Sequence, residues 1–241
     1  MENKYNEDIV QEDYSQMDKN TVSSKNQLEQ SEYVRFMNLG GKGKRIMFVG
    51  NSITLHGVYP DIGWLNDWGM AASSLENDYV HILMKKVNEF EPEAQFCICQ
   101  VSEWETEYKN GESKYYIYEN AREFEPDIII MRFVENCKRD GFESEVFKKG
   151  MDKLLKFLNK SGKAKIIMTT GFWKHPGNKV IAEYSKEMNL PFVNLEDLGE
   201  KDEMKAIGLF EHEGIANHPG DLGMKTIAER IFVELERFIK K

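Results

Sequence analysis

Short apolar runs alternate with longer amphipathic stretches along most of this chain. Residues 45–49, 95–101, 127–133, 164–169 and 191–194 have the length and residue types of buried strands. Between them, apolar positions recur at helical spacing. Tyr79, Val80, Leu83, Val87 and Phe90 predict a helix over 78–90. Val146, Phe147, Met151, Leu154 and Leu158 predict one over 143–159. Met224, Ile227, Ala228, Ile231, Leu235 and Phe238 predict one over 222–239. Further helices are expected over 114–124 and 179–188. Strands alternating with helices imply a parallel sheet covered on both faces. With right-handed crossovers the fold class is α/β, a three-layer α/β/α sandwich with a five-stranded parallel sheet of flavodoxin-like type.

The ends of this pattern differ from its middle. Residues 1–30 are rich in Asn, Gln, Glu, Asp, Ser and Lys, and read as a disordered or loosely docked polar extension. Tyr33, Val34, Phe36 and Met37 then offer enough apolar surface to pack against the domain. Gly40-Gly41-Lys42-Gly43-Lys44 precedes the first strand, whereas a phosphate loop follows a strand and opens a helix. It is read as a flexible lead-in. A long loop over 55–74 contains Gly57, Pro60, Gly63 and Gly69.

Candidate chemistry sits at two widely separated points. Ser52, in Phe48-Val49-Gly50-Asn51-Ser52-Ile53-Thr54, follows a strand on a turn that Gly50 and Asn51 permit. The carboxyl edge of an open α/β sheet is where ligands bind. His218, in Asn217-His218-Pro219-Gly220-Asp221, precedes the last helix, whose first turn suits Pro219 and whose positive end suits Asp221. A histidine held on a rigid loop is placed to act as general base on a serine hydroxyl. Taken alone, Ser52 reads equally as a turn serine; for His218 the competing reading is a loop residue that caps its helix.

Gly50-Asn51-Ser52-Ile53-Thr54 is similar to the first block of the SGNH/GDSL hydrolases, a family of serine esterases and lipases, and His218-Pro219 is similar to the last. Asn136, ending the strand Ile130-Met131-Arg132-Phe133, falls where that family places an oxyanion-hole asparagine. The α/β pattern of the resemblance spans roughly residues 44–240; the motif matches cover three short windows. The resemblance implies Ser52, His218 and Asn136 as catalytic residues of an SGNH hydrolase-like domain over residues 31–241. The chain also departs from the family pattern. Position 215, where the family carries the triad acid, is Ile215. The usual glycine before the asparagine is Val134, and the usual aspartate after it is Cys137. Ser102 is the nearest candidate for the second-block oxyanion donor. A backbone carbonyl can replace a missing acid by accepting the other ring N–H of His218. Glu211, Glu213 and Asp221 lie nearby in sequence as alternatives, and Glu135 is a further candidate acid.

The loop after Ser52 carries His56, Asp61, Trp64, Asp67 and Trp68. Aromatic rings beside carboxylates suit sugar binding, so Trp64 and Trp68 are candidate substrate contacts; the competing reading is that they anchor the loop. Arg132 and Glu135, if buried, must be paired, with Glu103 a possible partner. His175 and His212 read as surface loop residues.

Composition narrows the function classes. The 241 residues suffice for one substantial core. A net charge of −9 argues against nucleic acid or an anionic membrane as the main partner. Cys97, Cys99 and Cys137 are too few and too irregularly spaced for a disulfide framework or zinc site. Cys97 and Cys99 are expected on one strand face, packed as small apolar residues. His56 and His81 lack metal-ligand spacing, so no metal or other cofactor is expected. The first residues lack the basic and apolar regions of a secretory signal, and no run reaches membrane-span length, giving a cytoplasmic expectation. The leading reading is a serine esterase removing acyl, most plausibly acetyl, groups from a carbohydrate or another small ester. Acyl transfer at the same site and a non-catalytic glycan-binding module are the alternatives. A nucleotide-binding domain is disfavoured, because no Gly-x-Gly-x-x-Gly follows the first strand.

Overall fold

Each strand of the central sheet divides its side chains between two cores, and that division builds the layers. The computed structural model describes residues 28–240, so the extension expected for residues 1–30 lies outside the described residues except at its last three positions. The strands are β1 (Val34–Met37), β2 (Arg45–Gly50), β3 (Gln95–Gln100), β4 (Ile128–Arg132), β5 (Lys165–Thr169) and β6 (Phe192–Val193). They form a six-stranded sheet in the order β1-β3-β2-β4-β5-β6. The last five are parallel, as expected. β1 adds an antiparallel edge, pairing Val34 with Cys99 and Phe36 with Cys97. Its alternation of buried Val34 and Phe36 with partly exposed Arg35 and Met37 is that of a half-covered edge strand.

Ile46 and Phe48 of β2 point to one face and Met47 and Val49 to the other. The first face is covered by α1 (Tyr79–Asn88) and α7 (Asp221–Ile239), through Val80, Leu83, Ile227, Ile231 and Leu235. The second is covered by α4 (Ser144–Leu158) and α5 (Pro176–Glu187), with Phe147, Met151, Leu154 and Ile181 inward. Cys97 and Cys99 share that second face as buried free thiols. Between β3 and β4 the chain makes the short helix α2 (Ser102–Thr106), a 3-10 stretch over Tyr108–Tyr118 kinked at Asn110, and α3 (Glu119–Glu123). The single helix expected over 114–124 is therefore a 3-10 segment running into a short α-helix. The four-residue helix α6 (Glu213–Ala216) precedes His218. No helix among the described residues is long and apolar enough to cross a membrane.

From β2 the chain crosses first to β3 on one side and later to β4 on the other. The crevice of such a sheet opens where the strand order reverses, at the carboxyl end of β2. Ser52 lies two residues beyond that end.

A third, smaller core ties the two halves of this edge together. Trp64, Met70 and Ala71 from the loop after Ser52 pack with Ala206 and Ile215 from the segment before His218. The Trp64 ring is 6.0 Å from Phe210 and meets Trp68 edge-on at 6.1 Å. Asp221 adds polar links, accepting from the Ser73 N–H at 2.8 Å and the Ser73 hydroxyl at 2.6 Å.

Candidate active site

Gly50 is required by space, not by an unusual dihedral angle. A Cβ there would lie 1.8 Å from Thr54 Oγ1 and 2.8 Å from the Arg132 carbonyl oxygen. Beyond it, the Thr54 and Leu55 N–H groups both donate to the Asn51 carbonyl, at 2.8 and 3.0 Å, closing one turn around Ser52. Gly50→Ala is expected to destabilise the protein by about 1–3 kcal/mol through overpacking, read as a lower urea midpoint.

The opposite partner is held by its backbone. The His218 N–H donates to the Ile215 carbonyl at 2.8 Å, and its own carbonyl accepts from the Ala206 N–H at 2.9 Å. Pro219 pairs with Lys205 just before α7 and stands outside the helix, which begins at Asp221. So fixed, the imidazole Nε2 lies 2.8 Å from Ser52 Oγ, and Nδ1 lies 2.7 Å from the Gly214 carbonyl oxygen. A carbonyl oxygen only accepts, so Nδ1 carries the proton and Nε2 presents its lone pair to the serine. The residue in the family's acid position, Ile215, is buried in the small core instead. None of the alternative acids takes over: Glu211 and Glu213 are exposed, and Asp221 is engaged with Ser73. Burial of the ring pushes the His218 pKa down to about 4, against the opposing pull of the Gly214 carbonyl and of Glu135. The ring is thus neutral at pH 7.

Beneath Ser52 lies a buried ionic cluster. Arg132, fully buried at the end of β4, donates through Nη1 to Glu135 Oε1 at 2.6 Å and through Nη2 to Asn51 Oδ1. Asn51 Nδ2 bridges two carboxylates, Glu135 Oε2 at 2.6 Å and Glu105 Oε1 at 3.0 Å. Glu105 also accepts from Asn136 Nδ2 at 2.6 Å and from the Val134 N–H. Glu135 accepts from the Phe172 N–H at 2.8 Å. Burial alone would raise the Glu135 carboxyl; the guanidinium beside it reverses this and holds it below the usual range. Glu105 receives no hydrogen bond from the guanidinium, which gives its own to Glu135 and Asn51. Burial and then the Glu135 charge push it up, to about 7.

Val134 carries φ 132°, a conformation that β-branched residues rarely adopt. It stands at the position where the SGNH motif of the sequence resemblance has glycine, and its backbone is one that glycine adopts readily. Gly171 and Gly177 make room for it. A Cβ on either would lie 2.9 or 2.4 Å from a Val134 methyl.

The expected site residues separate into groups. Ser52 and His218 meet. Asn136 is exposed on the turn after β4, which ends at Arg132 and not at Asn136 itself, with Nδ2 on Glu105. Ser102 opens α2, but its N–H and hydroxyl both donate to Gln100 Oε1, at 3.0 and 2.8 Å. Trp64 is fully buried, with Nε1 on the His56 carbonyl, so it anchors the loop and offers no face to a sugar. Trp68 is partly exposed and donates to the Ala72 carbonyl at 3.0 Å. Glu103 pairs with Lys114, not with the buried cluster. His175 is buried rather than a surface residue: its Nδ1 accepts from the Gly177 N–H at the start of α5, and its Nε2 donates to the Cys137 carbonyl. His212 is exposed and caps α6. Two residues at the site were not anticipated. Glu105 belongs to no motif or expected element in the sequence. Trp173, which meets the His218 ring edge-on at 5.2 Å, follows β5 without any motif.

The fold is that of the SGNH hydrolases. The chain matches a family two carbohydrate esterase from Clostridium thermocellum, solved with cellohexaose, at 14% identity and TM-score 0.56, over 82% of this chain and 65% of that one. It matches a two-domain esterase active on acetylated mannans at 18% identity and TM-score 0.52, over 82% of this chain and 51% of that one. It also matches the psychrotrophic esterase EstA from Pseudoalteromonas sp. at 12% identity and TM-score 0.50, over 82% of this chain and all of that one. The chain thus spans about two thirds and one half of the two carbohydrate esterases. No protein-family model and no curated protein sequence matches it.

Proposed function

We propose that this protein is a serine esterase that removes acyl groups, acetyl foremost, from a carbohydrate or another small ester. The observation that carries this reading is the 2.8 Å contact between Ser52 Oγ and His218 Nε2, with Nδ1 on the Gly214 carbonyl. In this reading Ser52 attacks the ester carbonyl as its proton passes to His218 Nε2. The tetrahedral intermediate collapses, the C–O bond to the alcohol breaks, and the imidazolium returns the proton to the leaving oxygen. Water, deprotonated by the same nitrogen, then releases the acid from the acyl-enzyme.

The oxyanion is assigned to the Ser52 N–H and to Asn136. The Asn136 amide nitrogen has two hydrogens; one is taken by Glu105, leaving the other for substrate. The Gly214 carbonyl answers the absence of an acid at position 215, so that absence does not weigh against turnover. Glu135 is a negative charge that favours the ring as it becomes cationic, opposed by Arg132 and His56. Acetylated sugars are favoured because esterases of the same fold act on acetylated mannans or were solved with an oligosaccharide. Partly exposed Trp173 and Trp68, rather than buried Trp64, are the rings assigned to the sugar.

The test is acetate release from acetylated manno- and xylo-oligosaccharides beside p-nitrophenyl acetate, with wild type and Asn136→Ala. Acetate release by wild type is expected. Asn136→Ala should lower kcat by about 100- to 1,000-fold with little change in KM, the loss typical of one oxyanion donor. Equal kcat in the two proteins would remove Asn136 from the mechanism. Hydrolysis of p-nitrophenyl acetate without acetate release from any sugar would refute the carbohydrate substrate.

A further inference from the structure

Among the described residues, Glu105 is the carboxylate that accepts from both Asn51 and Asn136. Its Oε1 accepts from Asn51, the residue before the nucleophile, and its Oε2 accepts from Asn136, with the Val134 N–H as a third donor. The residue is fully buried on α2. The backbone that it holds at Val134 is in a conformation disfavoured for valine, so the contact opposes a local preference for another shape.

We propose that Glu105 is a positioning residue for acyl transfer at Ser52, its ionised carboxylate setting the oxyanion amide of Asn136 and the nucleophile turn through Asn51 as one hydrogen-bonded unit. The inference rests on the serine-esterase reading. A carboxylate supplies only acceptors, which three converging N–H groups require; a protonated acid or a glutamine turns one oxygen position into a donor facing a donor. The contact is therefore a function of protonation. The groups that face Glu105 are Glu135 and Cys137 after β4, Arg132 at its end, and Tyr118 from the 3-10 segment. Arg132 spends its hydrogen bonds on Glu135 and Asn51 and gives none to Glu105. With burial and Glu135 raising it to about 7, Glu105 takes up a proton before His218 does on acidification.

The wild-type acid limb of kcat is then expected near pH 7, and Glu105→Gln is expected to move it down toward the His218 value of about 4. Glutamine mimics the protonated acid, so kcat of the variant at pH 8 should fall by about 10- to 100-fold, less than loss of an oxyanion donor itself, with KM changed little. In an Asn136→Ala background the same substitution should cost clearly less than in wild type, because the Asn136 contact is already gone and only those to Asn51 and Val134 remain to be lost. An unshifted acid limb, or full additivity with Asn136→Ala, overturns the proposal.

Should Glu105→Gln fail to fold, 13C-carboxyl NMR of glutamate-labelled wild type replaces it. The proposal requires a buried glutamate that titrates together with the kcat limb. A separation of more than about one pH unit overturns it. The two readings fail differently. Turnover that survives Ser52→Ala overturns the esterase mechanism and this inference with it. Turnover that needs Ser52 but ignores Glu105 overturns this inference alone.

Discussion

His218→Ala and Ser52→Ala are each expected to lower kcat for p-nitrophenyl acetate by about four to six orders of magnitude, and the double variant by hardly more than either. The argument is geometric. The hydroxyl is a poor nucleophile unless its proton leaves as the new C–O bond forms, and Nε2 at 2.8 Å is the acceptor placed for that proton. Removing either partner destroys the same step, so the losses overlap instead of adding. The folded state should barely change, because the His218 loop is held by backbone bonds to Ile215 and Ala206. Circular dichroism and the urea midpoint check this. Additive losses, or a His218→Ala enzyme within tenfold of wild type, would contradict the dyad.

The second large effect concerns stability. Arg132→Leu is expected to destabilise the protein by about 3–5 kcal/mol, because it removes the cation of a buried pair and leaves the Glu135 carboxylate uncompensated. The pH dependence has a definite sign. In wild type the Glu135 pKa lies below its unfolded value, so its stabilisation is present above that value and is lost as pH falls. In the variant burial acts without the guanidinium, and the Glu135 pKa rises above the unfolded value near ~4.3. The native state then binds more protons than the unfolded one, and stability is lost as pH rises. The gap between variant and wild type should therefore narrow from pH 8 to pH 5 in urea titrations. A constant gap would mean that lost packing, not an unpaired charge, is the cause. Turnover should also fall, since Asn51 loses the donor that holds its side-chain oxygen beneath Ser52.

What the chain discloses about itself follows from how far each interaction reaches. The five parallel strands and the long helices are written in local apolar patterns, and each lies within a few residues of its expected place. Ser52 and His218 were legible because each sits at a boundary with its own signature, a strand end and a helix start. The Gly214 carbonyl was not, because every residue has a carbonyl and only the fold chooses one. Glu105 was hidden for a related reason. Glu103, two residues earlier, was the acid considered for the buried pair, and the partners of Glu105 at Asn51, Val134 and Asn136 come from other parts of the chain. Trp64 misled in the opposite direction: its partners Phe210 and Ile215 lie about 150 residues away, so an aromatic ring on a loop resembled an exposed one. His175 was disguised by the proline and glycine after it, which start a helix here instead of opening a loop. The edge strand β1 carried a weak period-2 signal at Val34 and Phe36, too short to stand without its partner β3.

The central claim is that Ser52 is a nucleophile activated by His218 without a triad acid. Its most direct test is labelling of the intact protein with a fluorophosphonate, followed by mass spectrometry. One phosphonyl group per chain is expected, on Ser52, absent in Ser52→Ala and strongly slowed in His218→Ala. Labelling at another residue, or none with the fold intact, would contradict it.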